Sequence, residues 1–160
     1  MPKIHSFTFA EHGRAFLPIY FQPRGGTVMQ PVVMKVDTGA DFTTLSKERL
    51  NDLGYDYRWI TENAVTGNKY NVATAAGDVE VVGLLQIPLA NILGYEISKW
   101  PFRVVMDEKR DFRNLLGRDL LAGFDYTFRN SIGQFEISRL DKFTPLYEFI
   151  TGQSINEARI

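Results

Sequence analysis

The chain of 160 residues contains no cysteine. Disulfides, thiolate nucleophiles and cysteine-ligated metals are therefore excluded. It also lacks an excess of either charge, since 18 basic and 19 acidic residues leave a formal net charge of −1. Such a balance creates no field that attracts nucleic acid or an anionic membrane, and neither is expected as a partner. No apolar run approaches the roughly 18 residues that mark a membrane span. The N-terminal stretch MPKIHSFTFAEHGR lacks the continuous apolar core of a signal peptide, so a cytoplasmic location is expected. Histidine is scarce, with His5 and His12 alone. Neither belongs to a cluster of carboxylates, so no metal site and no cofactor are expected.

What is present is the composition of an ordinary globular protein, 44% hydrophobic and 13% aromatic. A chain of this length forms one domain with a real core. That domain is expected over residues 1–140, with a C-terminal extension over 141–160 in which Thr144-Pro145 opens a short helix. Strands are expected at 5–9 (HSFTF), 15–22 (AFLPIYFQ) and 31–37 (PVVMKVD), all rich in β-branched and aromatic residues. A short helix is expected over 46–53, with Ser46 as its N-cap and Gly54 as its stop.

Further along, NVATAAGDVEVVGLLQIPL reads as a hairpin, its small centre at Ala75, Ala76, Gly77 and Asp78. Residues 95–106 give another strand, interrupted by Pro101. Leu116, Leu120 and Phe124 recur every four residues and suggest one face of a short helix. The segment 107–114 (DEKRDFRN) reads as a solvated charged loop, and 133–138 as a last strand. Strands predominate, so an all-β domain with one or two short helices is expected.

The chemistry centres on VDTGADFTTL, residues 36–45. Here a strand delivers Asp37 to its end, and Gly39 lets backbone N–H groups approach the carboxylate closely. Alone, Asp-Thr/Ser-Gly arises by chance in on the order of one chain in ten of this size. A simple turn explains such a tripeptide equally well. It is followed, however, by the hairpin and then by Leu115-Leu116-Gly117-Arg118-Asp119-Leu120-Leu121. Asp-Thr-Gly-Ala between apolar strands, a flap-like hairpin and an apolar pair before Gly-Arg-Asp, in that order, resemble the retropepsin-like aspartic proteases. The resemblance covers residues 5–138.

That resemblance implies a closed β-barrel of the acid-protease type and an endopeptidase activity. It implies that Asp37 is the catalytic carboxylate, that Thr38 bonds between subunits, and that Gly39 turns the chain with its carbonyl toward substrate. Asp41 and Arg118 are expected to form a buried pair, with Leu116, Gly117 and Asp119 completing the second motif. Ala75, Ala76, Gly77 and Asp78 become the flap tip, although AAGD has fewer glycines than the retroviral tip. No second Asp-Thr/Ser-Gly occurs in the chain. A shared-proton dyad therefore needs Asp37 from each of two copies, so a homodimer acting on an extended peptide is expected. Ala40 has no hydroxyl to stabilise the charged carboxylate, so activity is expected to extend toward neutral pH. The alternative is a non-catalytic module of the same fold that dimerises or binds extended peptides.

Overall fold

The structure, a computed structural model, describes residues 3–63, 69–74, 77–106 and 114–140, with residues 69–74 and 77–84 described by their backbone. In chain order it contains β1 (Ile4–Thr8), β2 (Phe16–Phe21), β3 (Gln30–Val36), β4 (Thr44–Ser46), α1 (Lys47–Asp52), α2 (Tyr57–Asn63) and β5 (Lys69–Thr74). Then follow β6 (Gly77–Ile92), β7 (Tyr95–Val105), β8 (Leu115–Leu116), α3 (Arg118–Leu121), β9 (Phe124–Arg129) and β10 (Gln134–Arg139). The expected tail helix lies outside the described residues, as does 107–113 of the charged loop.

The expectation of a closed all-β barrel is corrected. Among the described residues the strands divide between two separate sheets, of three and of seven strands, accompanied by three α-helices. The fold is mixed α/β. Its cause is visible in the pairing: β3 runs parallel to β8, and β4 parallel to β7. A parallel pair cannot be joined by a tight hairpin and needs a long crossover. Helices α1 and α2 lie on the excursion from β4 to β7.

The chain divides into two compact units, each built from separated segments. The first comprises residues 1–18, 33–43 and 115–160. Its three-stranded antiparallel sheet has the order β1-β10-β9. Register sets His5, Ile137 and Tyr126 in one row and Phe7, Phe135 and Phe128 in another. Both rows lie on one apolar face, because alternate residues share a face. Phe135 and Ile137 at its centre are buried. The other face carries Ser6, Glu136 and Thr127, with Arg129 bonded to Glu136 at 3.2 Å.

The sequence reading has no strand at β9, whose residues it assigns to the end of a helical segment. The helix is only four residues long, Leu116 stands in β8, and Phe124 opens β9. All three expected helix-face residues, Leu116, Leu120 and Phe124, are nonetheless buried. A spacing of four marks them as core without deciding between helix and strand.

The second unit comprises residues 19–32 and 44–114. Long antiparallel β6 pairs with β5 on one side and with β7 on the other, and Tyr20 and Phe21 pair with Asn91 and Ala90. Pro101 does not interrupt β7, which runs through it opposite Gln86. The core holds Phe21, Leu45, Leu50, Tyr55, Ile60, Ile87, Trp100 and Phe102. Phe21 and Phe102 meet edge to face at 5.3 Å, the arrangement that ring quadrupoles favour.

Ser46 caps α1 by accepting from Arg49 N–H, and Gly54 follows the helix with φ of 87°, a backbone that glycine adopts without strain. Helix α2 escapes the sequence reading because Ile60 is its one buried residue, so no apolar period announces it. Its visible signal is Asp56, whose carboxylate accepts from Trp59 N–H at 2.8 Å. Asn114, read as part of the solvated loop, is buried and accepts from Ser46 N–H at 2.7 Å.

Candidate active site

All candidate groups except the flap tip belong to the first unit. Strand β3 ends at Val36, and the parallel neighbour β8 ends at Leu116 directly opposite. Asp37 N–H donates to Leu116 O at 3.0 Å, which fixes where the chain leaves the strand. A turn follows, with Ala40 N–H donating to Asp37 O at 3.2 Å. Within it Gly39 N–H donates to Asp37 Oδ1 at 2.9 Å. A Cβ on residue 39 would stand 3.3 Å from the same oxygen, so glycine leaves that approach uncrowded. Asp37 is half-buried, Thr38 and Gly39 are exposed, and Oδ2 of Asp37 accepts no hydrogen bond among the described residues.

The second motif is joined to this loop almost residue by residue. Arg118 N–H donates to Ala40 O at 2.8 Å, and Asp119 N–H to Asp41 O at 3.1 Å. Gly117 packs so closely on the loop that a Cβ there would lie 2.5 Å from Phe42 C and 2.8 Å from Thr43 N. No side chain fits in that space. Arg118 Nη1 lies 3.4 Å from Asp41 Oδ1, with side chains 47% and 67% exposed. The pair expected to be buried is therefore a surface contact in this chain, and adds little stability by itself.

The deeper fastening is one that sequence reading missed. Asp119 is 2% exposed, and its Oδ1 accepts from Thr43 N–H at 2.9 Å, Thr43 Oγ1–H at 2.6 Å and Leu120 N–H at 2.8 Å. Thr43 Oγ1 in turn accepts from Gly117 N–H at 3.1 Å. Thr43 is fully buried. The hydroxyl thus passes a hydrogen bond from the Gly117 backbone to the Asp119 carboxylate. Asp119 is buried and holds the loop through Oδ1, whereas Asp37 is half-buried and its Oδ2 accepts no hydrogen bond among the described residues.

Of the flap-tip residues, Ala75 and Ala76 lie outside the described residues. Gly77 pairs with Thr74 and Asp78 with Ala73, so the two arms are in register up to those alanines. Among the described residues no helix is long and apolar enough to cross a membrane.

A sequence profile of the family described as "gag-polyprotein putative aspartyl protease" matches residues 28–122, more than half of the chain. Among solved structures, a retropepsin-like aspartic protease from Rickettsia conorii superposes with a TM-score of 0.61 at 18% identity, over 84% of this chain and 98% of that one. The retroviral protease-like domain of Ddi1 from Leishmania major gives a TM-score of 0.44 at 19% identity, over 74% of this chain and 82% of that one. No curated protein sequence matches. The likeness to the Rickettsia conorii structure is one of fold.

Proposed function

Because the chain belongs to the gag-polyprotein aspartyl protease family, of the retropepsin-like type, we propose that it is an aspartic endopeptidase that works as a homodimer. One observation carries the reading: Asp37 follows its strand directly, with one carboxylate oxygen held by Gly39 N–H and the other accepting no hydrogen bond among the described residues. A carboxylate so placed can be oriented and still reach a water molecule.

One Asp37 cannot complete the reaction, because hydrolysis needs a base and an acid at once. Two copies supply both. Like charges a few ångströms apart resist joint ionisation, so two Asp37 side chains share one proton. The ionised member takes a proton from the bound water, and the resulting hydroxide adds to the scissile carbonyl carbon. The protonated member gives its proton to the carbonyl oxygen, and a neutral tetrahedral diol forms. Its collapse breaks the C–N bond as a proton passes to the departing nitrogen. Thr38, exposed beside Asp37, is available to bond to the second copy. An extended substrate meets the two subunits by strand-like hydrogen bonding, with the β5–β6 hairpin in the flap role.

The test is Asp37→Asn, assayed on a peptide library and for self-cleavage. The variant keeps an oxygen that can accept from Gly39 N–H but cannot ionise, so cleavage is expected to disappear while folding persists. Equal processing by variant and wild type, or none by the wild type at any pH, rejects the reading in favour of a peptide-binding or dimerising module.

A further inference from the structure

The polar face of the three-stranded sheet is hollowed at one end. A cleft of about 350 Å3 lies there, between Ile4 of β1, Glu136 and Ser138 of β10, and Asp125 and Thr127 of β9. Register explains the grouping: Ile4, Ser138 and Asp125 form one row, and Glu136 and Thr127 belong to the next. Ile4 is 63% exposed, an aliphatic side chain on a face otherwise made of hydroxyls and charges. Leu140 stands close by. Its N–H donates to Gly123 O at 2.9 Å, which extends the ladder past Arg139, so it shares a face with Ser138 two residues before. It too is partly exposed, at 36%. Of the two acids in the cleft, Glu136 is engaged by Arg129 at 3.2 Å. Asp125 is exposed and forms no ion pair among the described residues.

We propose that this cleft is the docking site of the chain's own next segment, residues 141–146, with Phe143 laid on Ile4 and Leu140, and Lys142 set beside Asp125. The place where the chain leaves the sheet carries the argument. Residues 141–160 begin immediately after Leu140, at the rim of the cleft, and open with Asp141-Lys142-Phe143-Thr144-Pro145. Asp141 suits a reversal of direction. Each residue spans at most about 3.3 to 3.6 Å. A turn at Asp141 therefore returns Lys142 and Phe143 over Ser138, which has Ile4 on one side and Asp125 on the other. The chemistry matches at both points, an aromatic ring for the exposed aliphatic pair and an ammonium for the unpaired acid. Pro145 has no N–H to give a ladder, so the segment suits a sheet face better than a further strand. Mutual burial of Phe143 and Ile4 supplies most of the attraction, because an exposed ion pair adds little by itself. The unpaired side of β9 is left uncovered.

The absence of cysteine lets introduced thiols report the contact directly. Ile4→Cys is combined with Phe143→Cys in the Asp37→Asn background, where self-cleavage cannot intervene. Mild oxidation is expected to close a disulfide within one chain, seen as a faster monomer band on a non-reducing gel and the loss of both free thiols. Thr8→Cys with Phe143→Cys, at the far end of the same face, is expected to keep both thiols. Trypsin cleavage after Lys142 in the cysteine-free Asp37→Asn chain gives a second reading. Ile4→Ser is expected to speed it roughly tenfold, since cleavage tracks the undocked population. Equal linkage of the two cysteine pairs, or of neither, overturns the proposal, as does an unchanged trypsin rate in Ile4→Ser. Linkage into dimers alone also overturns it, and assigns the cleft to the tail of another copy.

Discussion

Thr43 Oγ1 lies 2.6 Å from Asp119 Oδ1, and the two buried residues are 76 positions apart in the chain. Thr43→Val keeps the shape and removes the hydroxyl. It leaves the Gly117 N–H without its acceptor and Asp119 with one donor fewer. A cost of about 2 to 4 kcal/mol is expected, the penalty for stranding buried polar groups. Thr43→Ser, which retains the hydroxyl, should stay much closer to wild type. Urea denaturation midpoints of the two variants check the difference.

Gly117→Ala tests close packing. The new methyl would lie 2.5 Å and 2.6 Å from the backbone carbon and oxygen of Phe42, neither of which can rotate away. The loop or α3 must shift, at about 1 to 3 kcal/mol or more. Peptide cleavage is expected to fall with stability, because the displaced segment carries Asp37. A variant as stable and as active as wild type contradicts the close contact.

Ala40 bears on pH. Its N–H is engaged with Asp37 O, and its methyl offers the carboxylate no donor. Ala40→Ser supplies a hydroxyl that can stabilise the ionised form. The acidic limb of the pH–rate profile is expected to move to lower pH in the variant, with wild-type activity extending toward neutrality. A sharp wild-type optimum near pH 3 on the order of pepsin-like behaviour removes the basis for this expectation.

His5 gives the fold a pH dependence of its own. Burial in β1 lowers its pKa from the ordinary histidine value of 6.5, helped by the positive charges of Lys3 and Arg139. A base with a lowered folded pKa binds protons more readily when unfolded. Its contribution to stability is therefore complete above the unfolded value and lost as pH falls through the folded one. Thermal unfolding from pH 7.5 to pH 5, on the order of one unit either side of that value, should show a steeper loss in wild type than in His5→Phe. Parallel curves contradict the burial of the imidazole.

The parts of the fold legible in the sequence were those with local causes. Ser46 and Gly54 bound α1 because cap and stop act within a turn of the helix. The β-branched residues of PVVMKV identify β3 because branched side chains suit a pleated strand. Helix α2 was hidden because it buries Ile60 alone, and β9 because a four-residue spacing of buried leucine and phenylalanine suits a helix as well as a helix–strand boundary. The barrel failed for a related reason: closure depends on which strands pair, and parallel pairs such as Val36 with Leu116 join residues 80 positions apart. Thr43 illustrates the same limit within the site. Nothing around it in DFTTLS distinguishes it from Thr44, and its role comes wholly from the distant Asp119 and Gly117.

The attachment of the Asp37 loop to residues 116–119 also orders events in time. A chain emerging from the ribosome presents Asp-Thr-Gly long before it presents any of the groups that hold that loop. Leu116 O, Gly117 N–H, Arg118 N–H and the Asp119 carboxylate all arrive together, well after the loop they hold. Contacts of such sequence separation form slowly even once both partners exist. Until residues 116–119 have been made, the Asp37 loop therefore lacks all of these anchors at once.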